Sequence, residues 1–305
     1  MSAGQADQLL VNGWAQLRAG NSRAAAREFR AALAINPEHI DALAGLAQCH
    51  LNLQEFSAGD DVARTLLPIA PNLPQSHRIK SELLRRRRKL GEARKHAEEA
   101  IRLDPKDPLG YHFLAVIHYD RKKFGKALKA VEEGRAAAPW YGVLAAQKAL
   151  ILLATKGGKA AEPLADEALR LSPDDGYVLN IAGHVALIRG KLDKARDLLG
   201  EVLRRDANDE GSLSLYLLTD PKRYRLLRAH LRFNYWRRDH GLFGWMIWLA
   251  AWLALLVVIG SVAILGRVPA VVVAIGYQLF WRAQYAGHRR AVKAHFAKPK
   301  LNPAY

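Results

Sequence analysis

Along the first two thirds of the chain, apolar residues recur at three- and four-residue spacing in short stretches, and each stretch is broken by a polar turn. That pattern predicts short amphipathic helices in series. The stretches come in pairs, each pair closed by a proline turn such as Asn36-Pro37, Asp104-Pro105 or Ser172-Pro173. A different pattern follows near the C-terminus. Leu242–Leu265 runs 24 residues without a charge, and after Gly266-Arg267-Val268-Pro269 a second apolar stretch extends through Trp281.

The helix pairs keep a fixed period. Pro37, Pro71, Pro105, Pro139 and Pro173 stand 34 residues apart, and the next step lands on Ala207. Twelve positions before each lies a small residue: Ala25, Gly59, Ala93, Ala127, Ala161 and Ala195. Twenty-four positions before lies a second small column, Gly13, Ala47, Ser81, Ala115, Ala149 and Gly183. Small side chains at fixed places let two helices approach closely, and proline ends the second of them. The pattern predicts six helix–turn–helix units over residues 1–207 without an insertion.

The period, the small-residue and proline columns, and aromatics such as Phe29, Phe56, Tyr111 and Phe124 resemble the tetratricopeptide repeat family. The family's tryptophan near the start of each unit is replaced here by Leu9, Leu43, His77, Tyr111, Ala145 and Leu179. The resemblance implies an all-α, right-handed α-solenoid of about six repeats whose first helices line a groove for a protein or peptide. By the family's pattern the groove-facing side chains are Trp14, Gln48, Arg78, Glu82, Arg85, His112, Tyr119, Tyr177, Asn180 and His184. Aromatic and amide groups there suit an extended peptide, and the arginines suit an acidic one. The lysine/asparagine clamp of the chaperone-binding branch is missing, since the first two units offer Leu10, Trp14 and Ala44.

Charge changes the picture at the C-terminal end. Of the formal +17, residues 220–305 hold 14 Lys and Arg against Asp220 and Asp239 alone. Leu242–Leu265 at ~1.5 Å per residue spans ~36 Å, enough to cross a bilayer. Arg237 and Arg238 precede it, Arg282 follows the second stretch, and only Arg267 lies between. A hairpin over residues 241–285 keeps both basic clusters on the cytoplasmic side, whereas a single span places one cluster outside. Both readings stay open, with the charge argument favouring the hairpin. Trp245, Trp248 and Trp281 would form its aromatic belt, with the basic residues against anionic head groups. Residues 208–240 contain Tyr224, Leu227, Leu231 and Tyr235 at helical spacing, which suits either a cap on the last repeat or a basic helix on the lipid surface. Residues 286–305 form a basic tail.

Signals for chemistry are sparse. Cys49 is the single cysteine, which excludes an intrachain disulfide and reads as a small buried hydrophobe. The run Arg85-Arg86-Arg87-Arg88-Lys89 can be an anionic-ligand site or a solvated helix end; without an aromatic platform the helix end is favoured and nucleic acid disfavoured. Gly157-Gly158-Lys159 lacks the spacing of a phosphate loop and falls in an inter-helix turn. Neither His112 and His118 nor His288 and His295 have the spacing of a helical metal pair. The expectation is a non-enzymatic scaffold without cofactor or metal, anchored in a membrane. The alternative is a subunit of a membrane complex whose transmembrane helices, with Gly244, Gly260 and Gly276, make the main contacts. A polar Met1–Gln8, the lone cysteine and the Ala/Arg-rich usage point to a bacterial inner-membrane protein with repeats and both termini in the cytoplasm.

Overall fold

The structure is a computed structural model that describes residues 3–220, 289 and 292–296. Residues 221–288 lie outside it. So do the hairpin over 241–285 and the anchoring residues Arg237, Arg238, Trp245, Trp248, Arg267, Trp281 and Arg282. Among the described residues there is no strand: thirteen helices run through residues 3–217, residues 292–296 are helical too, and no helix is long and apolar enough to cross a membrane. The chain divides into two compact units, residues 1–147 and residues 148–305.

The first unit holds four helix pairs. These are α1 (Ala3–Arg18) with α2 (Ser22–Ile35), α3 (Ile40–Asn52) with α4 (Phe56–Ile69), α5 (Pro74–Arg86) with α6 (Leu90–Leu103), and α7 (Pro108–Asp120) with α8 (Phe124–Ala137). The boundary between the units falls inside α9 (Gly142–Thr155). The second unit continues with α10 (Gly158–Leu171), pairs α11 (Gly176–Arg189) with α12 (Leu192–Arg205), and adds the two-turn α13 (Glu210–Leu217). Six pairs were expected, and the observed helices fall in that register.

The recurring spacing has a local cause at both helix ends. The residue that closes each first helix adopts a left-handed backbone at Gly20, Gln54, Arg88, Lys122 and Gly190, all in the 34-residue register. In the fifth unit that conformation falls one place later, at Gly157, which lies between the helices as expected, whereas Gly158 and Lys159 already belong to the first turn of α10. Asp107, Asp175 and Asp209 share another register position and accept backbone N–H bonds at the starts of α7, α11 and α13. Each such cap contributes about 1 kcal/mol.

The small columns are contact points. The fully buried Phe29 ring sits between Gly13 of α1 and Gly45 of α3, and a Cβ on either glycine would fall within 2.7 Å of Phe29 Cε1. Real carbon contacts settle near ~3.5–4.0 Å, so the ring needs both glycines. Around it Leu10, Ala25, Ala26, Ala32, Ala42, Leu46 and Cys49 form one core cluster. Cys49 is buried there, and burial pushes its thiol up to about 11, as a small hydrophobe rather than a nucleophile requires.

Within the first unit each first helix also touches the first helix of the next pair: α1 against α3, α3 against α5, α5 against α7. The second helices make no such contacts with one another. A stack tied closer on one side curves toward that side, so the first helices form its inner face. In the second unit, α13 packs on both α11 and α12, and Val292 and Phe296 join its core cluster. The last pair is therefore covered by α13 and by residues from the far C-terminal tail.

Candidate functional site

The inner face of the first unit is built from helices α1, α3, α5 and α7. Its polar side chains form two groups. On α3, Gln48 donates to Asn52 at 3.0 Å, and Asn52 donates to Ser22 at 3.2 Å. On α5 and α7 the groups are charged. Glu82 accepts two 2.7 Å hydrogen bonds from Arg85 and one from Arg86, while Arg85 reaches Asp120 of α7 at 2.7 Å. Arg78 pairs with Asp107, the cap of α7. Lys80 and Arg87 both hold the buried Asp60 of α4, each at 2.5 Å.

These pairings set the protonation states. Burial pushes Glu82 toward protonation, but the hydrogen bonds and charges of Arg85 and Arg86 outweigh it and hold the carboxyl below its ordinary value. Asp60 is likewise held low against its own desolvation, by Lys80 and then Arg87. For Arg85, burial opposes the charge, and Glu82 and Asp120 overcome that opposition and raise its pKa. The guanidinium of Arg78 is lowered by burial, which the charge of Asp104 only partly offsets.

The basic run therefore reads differently from a solvated helix end. Arg85, Arg86 and Arg87 each hold an acid, Lys89 lies 3.6 Å from Glu92, and Arg88 supplies the left-handed turn. The expected acidic ligand meets arginines that the chain has already neutralised. Sequence reasoning missed Asp60, Asp107 and Asp120 because each lies 27 or more residues from its arginine. The 34-residue register could have found them, since Asp120 stands one period after Arg86.

The remaining expected groove residues sit as follows. Trp14 is half-buried and leans edge-on against Phe29, with ring centroids 5.3 Å apart. It belongs to the first core cluster as much as to the inner face, because Gly13 beside it draws the Phe29 ring in. His112 packs edge-on against Phe113 and Tyr119 against Phe124. In the second unit, Asn180 donates to Ser212 at 2.6 Å, and Ser212 donates to the Asp209 cap at 2.7 Å. Tyr177 stands at the start of α11, where its backbone N–H donates to Asp175. Burial pushes the His184 imidazole down to about 4, so it is neutral at physiological pH. His118 is buried, and burial lowers its pKa.

Two family models, both described as Tetratricopeptide repeat, match the sequence: one over residues 16–83, the other over residues 80–140 and 147–210. Together they cover more than half of the chain in the register of the observed helices. The chain belongs to the tetratricopeptide repeat family.

Solved structures agree at the level of fold. A tetratricopeptide repeat protein from Parabacteroides merdae matches with a TM-score of 0.59 at 16% identity, over 70% of this chain and 84% of that one. A chain of the APC/C hetero-tetramer Cut9–Hcn1 matches with a TM-score of 0.56 at 18% identity, over 71% of this chain but only 43% of that longer one. No curated protein sequence matches the chain. Tetratricopeptide repeat proteins mediate protein–protein interactions, and the scaffold-like fold is typically non-enzymatic. Among the described residues there is no cluster of three or more His, Cys, Asp or Glu side chains placed to hold a metal ion.

Proposed function

We propose that this tetratricopeptide repeat protein is a membrane-anchored interaction scaffold that binds an extended segment of a partner protein along the inner face of α1, α3, α5 and α7. The observation that carries the reading is the set of polar side chains ordered on that face: half-buried Gln48 with exposed Asn52, then half-buried Glu82, Arg85 and Asp120, with Arg78 and Asp107 beside them. Such groups are pre-ordered by one another, so a peptide docking on them encounters side chains that have already lost their rotamer freedom. Because every arginine of the face holds an acid, the segment that fits is polar and close to neutral, not strongly acidic.

Anchoring rests on the 24 uncharged residues Leu242–Leu265 and their basic flanks. The hairpin draws support from the chain on either side of it. Asp220 lines a cavity of about 370 Å³ together with Arg196, Tyr216, Val292, His295 and Phe296. Arg289 and Lys293 pair with Glu210 of α13. A chain that returns to the place it left has both ends on one side of a bilayer, as an even number of crossings requires; one crossing would part them by the ~30 Å hydrocarbon core. The proposed location is a bacterial inner membrane, with the repeats and both termini cytoplasmic. Anchoring confines the inner face to the membrane surface, where a weak ligand is bound at raised effective concentration.

The test compares partners co-purified with the native chain and with a Gln48→Ala/Arg86→Ala/Tyr119→Ala variant whose helical signal is unchanged. Loss of specific partners supports the reading. An identical partner set removes the inner face as the binding site.

A further inference from the structure

The third helix pair brings two histidines together. His77 of α5 and His96 of α6 place their Nδ1 atoms 3.1 Å apart, with ring centroids at 5.3 Å. On the other side of its ring, His77 Nε2 lies 2.9 Å from the Pro71 carbonyl oxygen. A carbonyl can only accept, so Nε2 carries the proton and the Nδ1 of the neutral ring turns its lone pair toward His96.

The repeat register shows how unusual the contact is. At the matching positions the other units carry Leu43 and Val62, Tyr111 and Ala130, Ala145 and Leu164, and Leu179 and Leu198, with Leu9 and Glu28 in the first. In the second unit the pair is apolar core, Val62 packing against the cluster that contains Leu43. The third unit alone exchanges both members of the pair for imidazoles, and it does so in a chain with only 11 histidines. With no ion present, His96 Nδ1–H donates to the His77 Nδ1 lone pair; a cation that displaces this single proton meets two converging nitrogen lone pairs.

We propose that His77 and His96 form a two-nitrogen site for a divalent cation of the zinc class, clamping α5 to α6. Two nitrogens each ~2.0–2.1 Å from a tetrahedral zinc ion lie about 3.4 Å apart, and about 2.9 Å apart at right angles. The observed 3.1 Å falls between these values. The bond from His77 Nε2–H to a backbone carbonyl is the outer contact that metal-bound histidines use to fix their tautomer. Imidazole nitrogens select zinc, nickel or copper over magnesium and calcium. Since no three-residue cluster exists among the described residues, water completes the coordination. Glu99, one turn beyond His96, exerts its charge on both rings while bonded to Arg102 at 2.6 and 2.8 Å. Lys80, whose charge bears on His96, is held by Asp60 at 2.5 Å.

The full-length chain, titrated with zinc chloride and followed by calorimetry and by 15N-histidine NMR, provides the test. The expected result is one zinc bound per chain, with the Nδ1 signals of both rings moving, no response to magnesium, and affinity about tenfold or more weaker in His96→Gln. The variant His77→Leu/His96→Val carries the residues of the second unit and keeps the fold; it loses this binding step. The proposal is overturned if that variant, folded by circular dichroism, binds zinc as the native chain does. It is equally overturned if the two Nδ1 signals stay in place at millimolar zinc.

Discussion

The slot that holds Phe29 makes a prediction in which one substitution changes sign with its background. A Cβ built on Gly45 would stand 2.6 Å from Phe29 Cε1, about 1 Å inside an ordinary carbon contact. Gly45→Ala therefore overpacks the core at about 1–3 kcal/mol, partly offset by the ~0.5–1 kcal/mol that alanine contributes over glycine inside a helix. Phe29 is fully buried, and Phe29→Ala costs about 3–5 kcal/mol. With the ring gone, the methyl at position 45 meets no clash and only the helix gain remains. Gly45→Ala should then stabilise the Phe29→Ala chain by about 0.5–1 kcal/mol, a coupling on the order of 2 kcal/mol. The assay is urea unfolding of the four full-length chains in mild detergent, read by helical circular dichroism. Midpoints are compared, because repeat stacks lose strict two-state behaviour. Equal destabilisation by Gly45→Ala in both backgrounds would refute the slot as the reason for glycine there.

Other consequences can be checked in parallel. His184 is lowered to about 4 by burial, so between its ordinary value and that point the unfolded chain binds a proton that the folded chain refuses. Stability should fall as pH drops from about 6.5 to about 4, by up to ~3 kcal/mol, and His184→Gln should flatten that part of the curve. Arg88 adopts φ 62° at a turn where the first and sixth units use glycine, so Arg88→Gly should raise the melting midpoint by the equivalent of ~0.5–1 kcal/mol. Asp120→Asn removes one of the two acids on Arg85 and should cost about 1–2 kcal/mol; Glu82→Gln, which strips both Arg85 and Arg86, should cost more in the same melts. For topology, cysteines placed at Ser2, Arg267 and Pro303 in a Cys49→Ala chain should separate in sealed vesicles. Positions 2 and 303 should label from one face and 267 from the other, and a single span is revealed if 2 and 303 part.

The fold was legible because one physical requirement repeats. Phe29 needs Gly13, Leu199 needs Gly183, and such demands recur every 34 residues, so the small columns expose the architecture without any alignment. The pairing of the inner-face charges was much less legible. Family spacing picked out Arg78, Glu82 and Arg85 as facing residues, but Asp107 and Asp120 come from the cap and end of α7, and only packing of α5 on α7 adds them to Glu82 and reveals that the face is neutralised. Trp14 shows the same limit. Its position marks the inner face, while a neighbouring glycine gives it a core partner that spacing does not record.

Photo-crosslinking in cells tests the central claim most directly. A photoreactive residue is placed at Gln48, Asn52 or Arg86 on the first helices, and at Arg27, Lys95 or Lys129 on the second. The inner-face account predicts a common crosslinked protein from the first set and none from the second. Crosslinks from the second set alone would contradict it.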